Sequence, residues 1–158
     1  MRSAPQPAAD ERTTLEQFLD FQRETLLEKC MDLSGEQLAT RSVPPSDMSL
    51  LGLVRHLAKV ERWWFRVQMC DMPLAPIYQD DFDGVLGQNW EDDLAVYRAE
   101  VAAARDAVRD LPLDALARGK HAQGISLRWI YLHMIAEYAR HLGHADLLRE
   151  RVDGRTGL

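Results

Sequence analysis

Three of the five histidines in this 158-residue chain, His133, His141 and His144, fall within twelve residues of one another. Glu137 stands four residues before His141. At 3.6 residues per turn, a helix would present that carboxylate and imidazole to the same point, offset by only about 40°. His133 lies one turn before Glu137, and Arg140 and His144 extend the same polar ridge. Solvated helix faces favour Lys, Glu and Arg, whereas neutral imidazole is the commonest protein ligand for a transition metal. Two residues one turn apart make half a metal site, so the remaining ligand should come from a neighbouring helix. His56 is the natural candidate. It sits beside Leu53, Val60 and Trp63, close to an apolar face where an unpartnered polar ring would cost about 1–3 kcal/mol.

A set of His56, Glu137 and His141 would bind Zn²⁺, Fe²⁺ or Ni²⁺ and leave positions open for water or substrate, as catalytic rather than closed structural sites do. One carboxylate against a divalent ion leaves net positive charge, which acidifies a bound water or thiol. Each residue also has a plainer reading: His56 as a hydrogen-bonded core histidine, Glu137 as a solvated helix residue, His133 and His144 as surface groups. The run Trp63-Trp64-Phe65 reads either as core with one ring exposed or as an aromatic wall over the metal. His121, between Gly119 and Gly124, is assigned no role.

Four segments carry the helical periodicity needed to position these residues, and none carries a sustained strand alternation. The first is expected to open at Thr13, with Glu16 completing a capping box, and to line up Leu15, Phe18, Leu19, Gln22, Leu26, Cys30 and Leu33 before Ser34-Gly35. Ser49 is the expected N-cap of the second, which runs to about Met69 on a stripe of Leu50, Leu53, Leu57, Val60 and Trp64. The third spans about Trp90 to Asp110, ahead of Pro112, and the fourth runs from Ser126 to about Val152, ahead of Gly154. Four helices of this length suit a four-helix bundle, with the long stretch from Cys70 to Asn89 as a crossover connection. Residues 1–12 are expected to be a flexible N-terminal segment and residues 13–158 the domain.

Composition narrows the partners. Twenty-five acidic against nineteen basic side chains give a formal charge of −6, which argues against nucleic acid, whose binding needs a dense basic surface. The first twelve residues lack the apolar run of a signal peptide, and no stretch is long enough to span a membrane. A cytoplasmic protein with a small-molecule substrate is expected, and Cys30 and Cys70 are then expected to be free or buried thiols.

The segments Ser49-Leu-Leu-Gly-Leu-Val-Arg-His56-Leu and Leu132-His-Met-Ile-Ala-Glu137-Tyr-Ala-Arg-His141-Leu-Gly-His144 resemble the DinB/YfiT-like superfamily of metal-binding four-helix bundles, in particular an uncharacterised actinobacterial branch. The likeness runs from about Thr13 to Gly157. It implies one metal ligand in the second long helix and two more, four residues apart, in the last, which are His56, Glu137 and His141 here. Many members carry histidine where this chain has Glu137, whereas mycothiol-dependent maleylpyruvate isomerases resemble it in using a carboxylate. His144 falls where many relatives have glutamine, so its role does not carry over.

The resemblance implies thiol chemistry. The leading expectation is a metal-dependent thiol S-transferase in which a divalent ion, Zn²⁺ before Ni²⁺ or Fe²⁺, acidifies a mycothiol-like thiol for attack on an electrophile between the second and fourth long helices. Arg140, His133 or His144 would orient an anionic cofactor or relay a proton, and Trp63 would wall the site; no residue is assigned as catalytic. The alternatives are a small metal-dependent hydrolase and a non-catalytic, stress-related metal-binding module that pairs as a homodimer. A structural module would close the site with a fourth ligand, for which His133 and His144 are the candidates.

Overall fold

The structure, a computed structural model, describes residues 2–82 and 84–156. Met1, Asp83 and the last two residues of the expected domain, 157 and 158, lie outside the described residues. The chain is all-α. Its helices are α1 (Glu11–Cys30), the short α2 (Gly35–Ala39), α3 (Leu50–Glu61), α4 (Trp90–Val108) and α5 (Leu127–Asp153). Among the described residues the only extended pairing is an isolated bridge between Leu116 and Ser126.

Helix starts follow capping chemistry. Asp10, not Thr13, opens α1: its carboxylate accepts from the Thr13 backbone N–H at 3.0 Å and the Thr13 hydroxyl at 2.6 Å. An acidic cap at the positive end of the helix dipole outcompetes the expected Thr13–Glu16 box. A capping box does form at Ser34 and Gln37, where it starts α2, a helix the sequence reading left inside a connection. Ser49 caps α3 through the Gly52 N–H and Ser126 caps α5 through the Trp129 N–H, both as expected. Helix α5 stops at Gly154, whose φ of 80° is the left-handed conformation that glycine adopts without penalty.

The chain does not stop being helical at Glu61. It widens into a π-helix, Arg62–Met69, that continues α3. The i→i+5 pattern rotates the side chains beyond Glu61 relative to an α-helix, so Phe65, Gln68 and Met69 enter the core while Trp64 stays only partly buried. The far end of the π-helix is closed by the connection before α5. The backbone N–H groups of Gly119 and Arg118 donate to the Gln68 and Met69 carbonyls, and a Cβ on Gly119 would lie 2.6 Å from the Gln68 Cα. Only glycine allows that approach.

α1 packs along α5, and α3 packs on α4 while touching α5. The apolar stripe of α1 is Leu15, Leu19, Leu26 and Cys30; Phe18, expected on it, is 46% exposed because it turns to the flank. Arg23 is buried in its place, paired through two nitrogens with both oxygens of the fully buried Glu61 at 2.7 and 2.6 Å. Tyr138 donates to the same carboxylate at 2.8 Å and meets the Tyr97 hydroxyl at 2.9 Å. This polar cluster ties α1, α3, α4 and α5 together one residue from Glu137. A buried charge in the core is tolerable because its pairing and hydrogen bonds are complete.

Candidate metal centre

His56 projects from the middle of α3, and Glu137 and His141 project from consecutive turns of α5. Nε2 of His56 lies 3.3 Å from Oε1 of Glu137, and Nε2 of His141 lies 3.2 Å from the same oxygen. One ligand atom from each residue falls within 4.8 Å of the others. Ligands about 2.1 Å from a common ion are separated by roughly 3.0–3.4 Å in octahedral or tetrahedral arrangements, so the group could hold a metal ion.

The protonation pattern agrees with that fit. Nδ1 of His56 sits 2.9 Å from Oδ2 of Asp81, a carboxylate also 2.8 Å from the Lys59 ammonium. A carboxylate only accepts, so a proton on Nδ1 faces Asp81, and Nε2 is the nitrogen that a cation beside Glu137 would use in place of a proton. Burial works against the charge of Glu137, but hydrogen bonds and positive charge from His56 and His141 outweigh it and hold the carboxyl below its ordinary range. Burial is also the main influence on His141; with the neighbouring His56 it lowers the pKa against the opposing pull of Glu137, which favours the neutral imidazole that a metal needs. Nδ1 of His141 is buried without a hydrogen-bond partner among the described residues. Two ring nitrogens converging on one carboxylate oxygen are an arrangement in which a cation could take the place of the protons between them.

The remaining expected residues divide. His144 packs edge-on to His141, with ring centroids 5.5 Å apart, and its Nδ1 is likewise buried and unpartnered. His133 does not reach the centre: its ring lies between Trp129, stacked at 5.0 Å, and Trp64 at 4.6 Å. Arg140 is exposed to solvent. Trp63 is 42% exposed, stacks on His121 at 5.6 Å, and lines a cleft of about 610 Å³ that begins at His56. That cleft lies between α3, its π-helical extension and residues 74–81 of the crossover connection, rather than between α3 and α5 as expected.

The crossover is fastened to α3 along its length. Arg62 donates to the Ala75 carbonyl at 2.8 Å, Arg55 lies 4.3 Å over the Tyr78 ring, and Tyr78 donates to Asp93 of α4 at 2.8 Å. Phe82 stacks on His56 at 6.2 Å. Asp81 is the functional residue that the sequence reading missed. Its only signal was an acidic run, Asp80-Asp81-Phe82-Asp83, inside an unusually long connection.

The sequence from residue 14 to residue 154 matches the family model described as mycothiol S-transferase. The chain belongs to the mycothiol S-transferase family. The DinB/YfiT-like resemblance drawn from the His56 and Glu137–His141 segments agrees with this membership. No protein among those with curated functions matches the chain. For this mycothiol S-transferase family member, the convergent His56, Glu137 and His141 supply a cluster that could bind a metal, and the family suggests the use of a thiol.

Proposed function

We propose that the protein is a metal-dependent thiol S-transferase that joins mycothiol to an electrophilic small molecule. The observation that carries this reading is the convergence of His56 Nε2, Glu137 Oε1 and His141 Nε2 in a chain of the mycothiol S-transferase family. The long helices are read as a four-helix bundle of the DinB/YfiT-like type, whose α3 and α5 hold the ligands. Zn²⁺ is the preferred ion, since two imidazoles and a carboxylate are common ligands of catalytic zinc.

His56, Glu137 and His141 would hold the divalent ion, which would supply the positive charge that lowers the pKa of a thiol at the site. Asp81 orients His56 by accepting its Nδ1 proton, and Lys59 balances the Asp81 charge. His144, with its buried Nδ1 unpartnered beside His141, is assigned the proton that the thiol gives up. The thiol sulfur then forms a bond to the electrophilic carbon, and the bond from that carbon to its leaving atom breaks, the leaving atom taking the electron pair.

The chain's own thiols support an external nucleophile. Burial pushes the Cys30 thiol up to about 12, and burial also raises Cys70, so neither is a ready thiolate. Both are free, as suits a reducing compartment such as the cytoplasm. No described helix is long and apolar enough to cross a membrane.

The test is to measure metal stoichiometry and then conjugation of an electrophile with mycothiol, with glutathione and with no thiol. Stoichiometric metal and mycothiol-dependent conjugation that chelation abolishes support the reading. Metal-dependent hydrolysis indifferent to thiol would replace it with a hydrolase.

A further inference from the structure

The cleft beginning at His56 has a chemistry of its own. Val60, Trp63, Val67, Leu74, Pro76 and Ile77 make its walls predominantly apolar, and its volume of about 610 Å³ is that of a site for a drug-sized ligand. Lys59, Arg62, Tyr78, Gln79 and Asp81 add polar groups, but the exposed lining is mostly apolar and suits an apolar ligand better than a polyhydroxylated sugar thiol. Arg62, six residues beyond His56, supplies a distinct polar point. Its two terminal nitrogens are taken by the Ala75 carbonyl and by Glu100, at 2.8 and 2.6 Å. Its Nε–H is buried and unpartnered among the described residues, a donor whose desolvation goes uncompensated until the Arg62 side chain shifts to meet an acceptor in the cleft.

We propose that this cleft holds the second substrate: an apolar electrophile with one carbonyl-type acceptor that pairs with Arg62 Nε–H. The reactive carbon lies at the His56 end, separated from Arg62 by about 9 Å of helix. The proposal rests on the transferase reading and adds the substrate class and the residues that select it. Trp63 and the 74–77 segment set the width and Arg62 sets the register. In the reaction the thiol proton leaves, a sulfur–carbon bond forms, and a carbon–halogen or epoxide carbon–oxygen bond breaks. The leaving atom keeps the electron pair, and an epoxide oxygen takes up a proton.

The test uses the full-length, metal-loaded protein with unreactive ligands. Binding of a series of straight-chain methyl ketones, followed by tryptophan fluorescence, should strengthen about fourfold per added methylene until the cleft is filled. Acetophenone should bind about tenfold more tightly than ethylbenzene, and Arg62→Lys should remove that preference. Ala75→Trp should weaken ketone binding at least about tenfold by filling the space while metal stoichiometry stays unchanged. Affinities that ignore chain length or Ala75→Trp, in a protein that still conjugates mycothiol, overturn the cleft assignment alone. Chain-length dependence in a protein that conjugates nothing overturns the transferase reading, and the electrophile's role falls with it.

Discussion

Asp81 accepts the Nδ1 proton of His56 across 2.9 Å, and so a single carboxylate links the crossover connection to the candidate metal centre. The contact fixes the tautomer, aims Nε2 at Glu137 and holds the connection against α3, where it forms one wall of the cleft.

Replacing Asp81 with Asn should therefore weaken metal binding about 10–100-fold without abolishing it, as loss of an orienting partner does at other sites. His141→Ala should abolish stoichiometric binding. Titration calorimetry with Zn²⁺, checked by elemental analysis, measures both. Full occupancy in His141→Ala would remove that residue from the ligand set, and an unaltered affinity in Asp81→Asn would make its contact incidental.

Stability should depend sharply on the buried cluster of Arg23, Glu61, Tyr138 and Tyr97. Glu61→Ala leaves the Arg23 guanidinium buried beside an emptied pocket and should cost about 3–5 kcal/mol, whereas Tyr138→Phe removes one hydrogen bond and should cost about 1–2 kcal/mol. The two losses should not add, because both substitutions act on one network. Urea unfolding of the single and double variants tests the ordering. A Glu61→Ala cost as small as that of Tyr138→Phe would contradict the pairing geometry.

Glu100 gives the fold a pH signature. Burial opposes its ionisation, but the Arg62 and Arg66 guanidinium groups, at 2.6 and 2.8 Å, more than compensate and hold its pKa below the ordinary 4.5. A carboxyl that is more acidic folded than unfolded stabilises the fold above its unfolded pKa, and the contribution drains away as pH falls through the folded value. The stability difference between wild type and Glu100→Gln should thus be constant from neutrality down to about pH 5 and shrink below it. A gap that widened on acidification would reverse the sign and refute the assignment.

The cysteines should be dispensable. Substituting Cys30 and Cys70 together by Ala should leave metal stoichiometry and mycothiol-dependent conjugation intact, with a stability cost of about 1–2 kcal/mol from the buried Cys30 position. Their reaction with a disulfide reagent should be far slower in the native state than in denaturant. Rapid native labelling of Cys30 would contradict its burial.

Local patterns in the chain were sufficient for its four long helices and for placing His56, Glu137 and His141 on α3 and α5. Apolar spacing in α3 and α5, with Ser49 and Ser126 at their starts, fixes which faces turn inward, and the Glu137–His141 interval fixes two donors on one side of α5 because helix geometry is set by nearest neighbours. His56 could be named because its position on α3 beside an apolar stripe demanded a partner. The cap at Asp10 was within reach of the same chemistry but stood against a competing signal at Thr13, and the short α2 was within reach through the Ser34–Gln37 box inside what reads as a connection.

What only the tertiary structure decided are relationships with no local period. Arg23 pairs with Glu61 across 38 residues and His56 with Asp81 across 25. Neither interval carries a helical or strand repeat, and both pairs form because packing α1, α3 and the crossover together buries a charge or a ring that must be satisfied. The widening of α3 into a π-helix is of the same kind. It shifts Phe65 inward and leaves Trp63 on the cleft, and it is stabilised by residues 118 and 119 arriving from a third of the chain away. The donors of the centre are thus local properties of two helices, whereas the orientation of His56, the register of the aromatic wall and the shape of the cleft are set by contacts that exist only once the chain has folded.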